Sequence, residues 1–154
     1  MEEIVKQLIK NKQTISTMES CTGGYISSSI TNIEGSSEII KFSAITYSNE
    51  YKIKMGIQKE TINKYSVYSQ EVANEMSKII SNYTNSDYGI GITGKLNHPD
   101  PNNQFGENNL VYISIYDKNK DTYHNNIVKC ENQLRIKNKE QVLNKVIEIL
   151  KNIL

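Results

Sequence analysis

The sequence predicts an α/β protein in which helices cover both faces of one mixed sheet, a three-layer α/β/α sandwich. Short apolar segments rich in β-branched residues alternate with amphipathic segments through the first two-thirds of the chain. Two alternating strands around a polar turn at 117–121 follow, and the chain then ends in another amphipathic segment. The alternation is typical of parallel strands, and the hairpin adds an antiparallel member to the sheet.

The elements of the first half follow from the spacing of apolar residues. Apolar side chains at helical spacing predict the first helix, β-branched runs predict the strands, and Gly56 ends a short helix. In order, these elements are a helix over 3–11, a strand over 14–18, a helix over 22–33, an inner strand over 39–47 and short helices over 49–55 and 59–64.

The second half contains the longest helices and one long polar loop. Ser69 is the predicted N-cap of the helix that follows it. The loop contains Pro99 and Pro101, and its length favours a ligand-facing role. In order, the elements are a helix over 69–83, a strand over 87–93, the loop over 95–109, strands over 110–116 and 122–130, and a helix over 137–153. We expect residues 1–154 to form a single domain.

Composition argues against several classes of partner. The chain has 18 basic and 17 acidic residues, so its net charge of +1 favours neither nucleic acid nor an acidic membrane. No apolar run is long enough to span a bilayer, and the N-terminus is unlike a signal peptide, so we expect a cytoplasmic protein. The two cysteines and two histidines lack the spacing of metal ligands, and we expect no metal.

Polar segments follow three of the predicted parallel strands, at the sheet edge where ligands bind in open α/β folds. The first segment contains Ser20, Cys21 and Thr22 and continues into the glycine pair at 23–24, which opens a helix. Free amides at a helix start can hold an anion or a developing oxyanion. The second segment runs from Tyr47 to Lys52, and the third is Thr93-Gly94. We therefore expect a site where these strand ends meet.

The polar segments also resemble a known family. The motifs that carry the resemblance are Glu19-Ser20-Cys21-Thr22-Gly23-Gly24, Tyr47-Ser48-Asn49-Glu50-Tyr51-Lys52, Ser69-Gln70-Glu71-Val72-Ala73 and Ile92-Thr93-Gly94. In order and spacing they are similar to the CinA C-terminal domain family, also known as the nicotinamide-nucleotide amidohydrolases. The resemblance implies a mixed, mostly parallel five-stranded sheet and a homo-oligomer. It also implies deamidation of nicotinamide mononucleotide to nicotinate mononucleotide and ammonia, without a cofactor, for pyridine-nucleotide salvage.

The resemblance also implies roles for individual residues. Ser20 matches the nucleophile, Lys52 its base and Tyr47 a tyrosine of the same catalytic site. The matching substrate-binding positions are Thr22, Gly23, Gly24, Thr93, Gly94 and Arg135. A lysine serves as a base only when neutral, so its pKa must fall from about 10.4. Tyr47, Tyr51 and the surrounding apolar strand are candidates to supply part of the necessary burial. A phosphate on the substrate would need a cation or free helix-start amides to bind it, and Arg135, Lys95 and the Gly23-Gly24 turn are the candidates.

One segment departs from the family pattern and leaves alternatives open. The family loop after Thr93-Gly94 is rich in glycine, whereas this chain has Lys95-Leu96-Asn97-His98-Pro99-Asp100-Pro101-Asn102-Asn103. One alternative is that the substrate is another small carboxamide. A second is that the chain is a nucleotide-binding module that has lost turnover. A structural partner in DNA uptake or damage response is a third alternative, which the near-neutral charge does not support.

Simpler interpretations remain for several single residues. Ser20 alone would be a turn residue that caps the next helix, and Lys52 alone would be a solvated helix lysine. Cys21 is a rival nucleophile beside Ser20, although we favour a packing role for its thiol. Asp100, between two prolines, is interpreted as a turn residue.

Overall fold

The computed structural model describes residues 1–154. Its strands are β1 (Ile15–Glu19), β2 (Ser43–Ile45), β3 (Tyr88–Gly94), β4 (Leu110–Asp117) and β5 (Thr122–Lys129). Its α-helices are α1 (Glu2–Asn11), α2 (Tyr25–Thr31), α3 (Asn49–Lys54), α4 (Lys59–Tyr65), α5 (Gln70–Thr84) and α6 (Arg135–Ile153), and a 3-10 turn covers Ser36–Glu38. The predicted order of helices and strands is confirmed. None of the helices is both long and apolar enough to cross a lipid bilayer.

The five strands form one mixed sheet in the order β2-β1-β3-β4-β5. β1 pairs in parallel with both β2 and β3, while β4 runs antiparallel to its neighbours β3 and β5. β5 therefore points the same way as the three parallel strands, and four of the five strands share one direction. This arrangement confirms the predicted mixed, mostly parallel sheet.

The second strand is much shorter than predicted and lies at the sheet edge rather than inside. Only Ser43–Ile45 pair with β1, and Ile45 is 56% exposed. The apolar run at 39–47 predicts an inner strand because it contains several isoleucines. Ile39 is buried because it closes the 3-10 turn and packs in the core, not because it belongs to a buried strand.

Helices cover both faces of the sheet. The larger core lies between one face and α1, α2 and α6. On the other face, α5 packs across β1, β3 and β4, and a smaller core joins Met18 to Ile57, Val72, Met76 and Ile80. The sheet is thus buried on both sides, as its apolar strands require, and the three-layer α/β/α class is confirmed.

The glycines of β3 let α5 approach the sheet closely. A Cβ added at Gly91 would lie 2.2 Å from the carbonyl oxygen of Ala73, and one added at Gly89 would lie 2.0 Å from that of Ser77. Ser69 caps α5 as predicted, because its hydroxyl accepts a hydrogen bond of 3.3 Å from the amide of Val72. These contacts hold α5 against the sheet on the face that it covers.

Candidate active site

Ser20 and Lys52 meet at the carboxyl edge of the sheet. Ser20 directly follows β1, and its amide extends the pairing with β3 by donating to the carbonyl of Ile92 at 3.0 Å. Lys52 lies in α3, which begins at the N-cap Ser48. The Nζ of Lys52 is 3.0 Å from the Oγ of Ser20. Two chain segments separated by 32 residues therefore bring an amine and a hydroxyl into direct contact.

The amine of Lys52 is removed from water. Its side chain is 1% exposed and that of Ser20 is 5% exposed. Burial disfavours the charged ammonium and lowers the pKa of Lys52 to about 8. Tyr47 and Tyr51 are 63% and 57% exposed, so neither tyrosine is itself buried, and their share in shielding Lys52 stays a prediction.

A second hydrogen bond orients the lysine. Its Nζ also donates to the carbonyl oxygen of Thr46 at 2.8 Å, in the segment between β2 and α3. A neutral amine has two hydrogens and one lone pair. While one hydrogen stays with Thr46, the lone pair of Lys52 can accept the hydroxyl proton of Ser20. The arrangement suits a base acting on a nucleophile.

The carboxylate of Glu19 organises the turn that carries Ser20. It is fully buried and accepts hydrogen bonds from the hydroxyl of Thr22 at 2.7 Å and the amides of Gly24 and Ile26, both at 3.1 Å. The amide of Ser27 donates to it as well, at 2.8 Å. An internal anion therefore occupies the start of α2, a position that favours negative charge.

This arrangement corrects the substrate-binding role expected for the glycines at 23–24 and for the side chain of Thr22. Thr22 and Gly24 are engaged by Glu19, and the amide of Gly23 donates to the carbonyl of Ser20 at 2.9 Å. None of the three lines the cavity beside Ser20. The amides of Cys21 and Thr22, by contrast, make no hydrogen bond within the chain. These two amides follow Ser20 directly and are the remaining candidates for an oxyanion site.

A cavity of about 510 Å³ opens beside Ser20. Tyr47, Gly94 and Arg135 line it, so these predicted site residues lie around one space with Ser20. Arg135 is the first residue of α6, and its guanidinium Nη2 donates to the Tyr47 phenol oxygen at 3.1 Å. The space has the size of an ordinary small-molecule pocket.

Thr93 does not reach this cavity. Its side chain is fully buried, and its hydroxyl donates to the carbonyl of Val67 at 2.9 Å, so the expected contact with substrate is corrected to a structural one. Gly94 does belong to the wall, and its φ of 151° favours glycine. A Cβ there would lie 2.4 Å from the carbonyl oxygen of Leu110.

The polar loop at 95–103 forms a whole side of the cavity. Lys95, the first residue of the loop, is buried. Its ammonium donates to the carbonyl of Phe105 at 3.0 Å and to the side chain of Asn108 at 3.1 Å. The side-chain amide of Asn49, at the start of α3, donates to the side-chain oxygen of Asn103 at 2.8 Å. The loop is therefore tied both to itself and to the helix that carries Lys52.

Sequence reasoning missed the Tyr68–Asp100 pair. The phenol of Tyr68 donates to the carboxylate of Asp100, and both residues line the cavity. Asp100 also accepts from the amide of Asn102 at 2.9 Å, so the predicted turn role holds, but it is only part of the contacts of this side chain. A tyrosine 32 positions away gives no local signal of such a pair.

The thiol of Cys21 is a poor rival nucleophile. Burial raises its pKa to about 12, so the reactive thiolate is disfavoured. Its side chain belongs to the larger hydrophobic core, as does that of Cys130. No group of three or more metal-ligating side chains is positioned to hold a metal ion.

The fold and this site define a class of protein, an α/β/α domain with a buried serine–lysine pair at the carboxyl edge of its sheet. The chain belongs to the CinA C-terminal domain family, whose model matches residues 1–154.

Curated relatives carry related names. The chain is 42% identical over 120 residues to a "putative competence-damage inducible protein" of Clostridium kluyveri, which covers 77% of the chain and 29% of that relative. It is 40% identical over 133 residues to a "CinA-like protein" of Prochlorococcus marinus, covering 86% of the chain and 31% of the relative. The chain thus spans about three-tenths of the length of these relatives.

Solved structures of the superfamily share the fold. A CinA superfamily protein from Escherichia coli superposes with a TM-score of 0.86 at 21% identity, covering 99% of this chain and 87% of that one. A competence or damage-inducible protein from Enterobacter asburiae has a TM-score of 0.86 at 20% identity, covering 99% and 98% of the two chains. At these identities the likeness concerns the fold alone.

Proposed function

We propose that this chain is an amidohydrolase that converts nicotinamide mononucleotide and water to nicotinate mononucleotide and ammonia. The observation that carries the proposal is the 3.0 Å contact between a buried lysine amine and the hydroxyl of Ser20. Amide hydrolysis needs an activated nucleophile, a proton carrier and donors for the oxyanion. The pair supplies the first two, beside a cavity that is open to a ligand.

In the first step, Ser20 attacks the carboxamide carbon while neutral Lys52 takes the hydroxyl proton. The carbonyl oxygen becomes an oxyanion, for which the unpaired amides of Cys21 and Thr22 are the nearest donors in the chain sequence. Lys52 is now an ammonium, held by the carbonyl of Thr46. It then donates its proton to the leaving nitrogen, the C–N bond breaks, and ammonia departs from a nicotinoyl ester on Ser20.

In the second step, water replaces ammonia. Lys52, neutral again, takes a proton from that water as its oxygen attacks the ester carbon. The ester bond to Ser20 then breaks, and the serine recovers its proton from Lys52. Nicotinate mononucleotide is released, and both side chains return to their starting protonation states, so a single base serves both half-reactions.

Arg135 supports a substrate that carries a phosphate. Its guanidinium lies in the cavity wall and is exposed, with a planar set of donors that matches a phosphate. Lys95 is a less suitable partner, because two of its ammonium hydrogens are already engaged within the loop. Arg135 is therefore the proposed phosphate ligand, in the wall of the same cavity as Ser20.

A second candidate is an amidase for another small carboxamide. It is favoured by the loop at 95–103, which departs from the family pattern and forms one side of the cavity. A nucleotide-binding module without turnover is less well supported, because the serine–lysine contact is intact. The competence-related names belong to relatives much longer than this chain.

Ammonia release tests the proposal. The chain would be incubated with nicotinamide mononucleotide, nicotinamide and other small carboxamides, and ammonia measured by a coupled assay. The wild type is expected to release ammonia from nicotinamide mononucleotide, Ser20→Ala to lose at least about a thousandfold in rate, and Cys21→Ala to stay active. Release only from a different carboxamide would favour the second candidate, and tight binding of the nucleotide without any release would favour the module.

A further inference from the structure

Asp100 supplies the only carboxylate in the wall of the cavity. Three donors within the chain hold it in place. The phenol of Tyr68 and the side-chain amide of Asn103, the latter at 2.9 Å, both donate to Oδ2. The backbone amide of Asn102 donates to Oδ1 at 2.9 Å. The direction of this carboxylate is therefore set before any ligand arrives.

One acceptor position of Asp100 remains open. An ionised carboxylate can accept about four hydrogen bonds, two at each oxygen. The chain fills both positions on Oδ2 but only one on Oδ1. Burial acts to raise the pKa of Asp100, but the hydrogen bonds from Tyr68, Asn103 and Asn102 outweigh it and lower the pKa. The group is therefore an anion that can only accept.

A second polar residue of the loop lines the same cavity. The side-chain amide of Asn102 lines the same wall and has no hydrogen-bond partner within the chain. Asn103 is held from its other side by Asn49 at 2.8 Å. An acceptor and an amide that can both accept and donate therefore face the cavity from a loop whose shape is fixed by these contacts.

We infer that Asp100 and Asn102 form a subsite for the vicinal hydroxyls of a ribose, so that the cavity prefers ribonucleotide substrates to deoxyribonucleotides. Carboxylates accept ribose hydroxyls in other nucleotide-binding folds. A site built around such a hydrogen bond rejects an analogue that lacks the hydroxyl, because the polar group is then left unpaired. The inference rests on the proposed function, since nicotinamide mononucleotide is a ribonucleotide.

Calorimetric binding in a chain that cannot turn over gives a direct test. Nicotinamide mononucleotide and its 2′-deoxy and 3′-deoxy counterparts would be titrated into Ser20→Ala at neutral pH. The ribonucleotide is expected to bind at least roughly tenfold more tightly than one of the deoxy compounds. Adding Asp100→Ala should bring the affinities to within about threefold of one another, mainly by weakening the ribonucleotide.

Matched variants separate recognition from loop stability. Tyr68→Phe removes one donor but keeps the carboxylate, so it should preserve the ribose preference even if all three ligands bind more weakly. Asp100→Asn, which keeps the size of the side chain, replaces Asp100→Ala if circular dichroism shows that the alanine variant is unfolded. A preference that survives the loss of Asp100, or that is absent in its presence, overturns the inference.

The binding test of the ribose subsite does not depend on whether the chain hydrolyses the nucleotide. Ammonia release by the wild type without any preference for the ribonucleotide would leave the amidase intact and overturn the subsite. A clear preference without ammonia release would support the subsite and contradict the amidase. If none of the three compounds binds, both are overturned.

Discussion

The guanidinium of Arg135 donates a hydrogen bond of 3.1 Å to the phenol oxygen of Tyr47, although 88 residues separate them. The contact joins the start of α6 to the segment that leads from β2 into α3. It holds a cationic side chain in the wall of the cavity that Ser20 also lines. Under the proposed function, Arg135 is the residue that binds the substrate phosphate.

Loss of Arg135 should therefore weaken nucleotide binding more than chemistry. We expect Arg135→Gln to raise the KM for nicotinamide mononucleotide roughly tenfold or more, because a charged hydrogen bond to phosphate is lost. Turnover of nicotinamide riboside, which lacks the phosphate, should change little. Steady-state ammonia assays on both compounds would check this, with Lys145→Gln, farther along α6, as the control. Equal effects on the two compounds would contradict a phosphate role.

The activity should rise with pH through the pKa of Lys52. Below that value, about 8, the amine carries a proton and cannot accept another from Ser20. We expect kcat/KM to increase about tenfold per pH unit below the pKa and to level off above it. Rates measured from about pH 6.5 to pH 9.5, with the fold monitored by circular dichroism, would check this. A profile that is flat or falls across this range would contradict a neutral lysine base.

Because it is buried, Lys52 should lower the free energy of unfolding of the protein. The folded pKa of about 8 lies below the ordinary value of 10.5, so the unfolded chain binds more protons between these limits. Stability should therefore rise with pH through that window. At neutral pH the cost is on the order of 3 kcal/mol, offset in part by the hydrogen bond to Thr46. Lys52→Met should thus keep or raise the Tm while abolishing turnover.

Thermal unfolding at neutral pH would check this, with Lys54→Met as the control. Lys54 is on the same helix but is exposed, and its contacts with Glu50 and the ring of Tyr51 are surface contacts, so its loss should leave the Tm nearly unchanged. The advantage of Lys52→Met over the wild type should shrink toward about pH 10. A marked drop in Tm for Lys52→Met at neutral pH would show that the amine stabilises the fold instead.

Much of the fold could be predicted from sequence because its signals are local. The Ser69 cap, the apolar stripes and the hairpin turn each act within a few residues, and their elements appear where expected. β2 could not be placed, because the difference between an inner and an edge strand depends on distant partners. The strand ends predicted that the segments of Ser20 and Lys52 meet, but only the resemblance paired these two side chains, since no local pattern indicates which of many lysines is buried.

Glu19 was overlooked for a similar reason. A glutamate at the end of a strand normally indicates a solvent-exposed position. Here its partners are backbone amides that become available only when α2 turns back over it. The glycines at 23–24 were correctly interpreted as a tight turn, with φ values of 62° and 90°. What sequence could not show is that the turn already encloses an anion of its own.

Glu19→Gln should therefore destabilise the turn that carries Ser20. The substituted amide nitrogen would face backbone donors, leaving one or more of them unpaired, at a cost of about 2–4 kcal/mol. Urea unfolding followed by circular dichroism would check this. Glu34→Gln, at an exposed position, should change stability by less than about 0.5 kcal/mol. If Glu19→Gln were equally mild, the carboxylate would not be holding the start of α2.

The central claim is that Ser20 and Lys52 act as one unit, and a double-mutant cycle on kcat/KM for ammonia release tests it most directly. The rates of the wild type, Ser20→Ala, Lys52→Met and the combined variant would be compared. Groups that work in the same step are strongly non-additive, so the combined variant should be no slower than the slower single variant. Losses that multiply in the combined variant, or a single variant that keeps wild-type turnover, would contradict the claim.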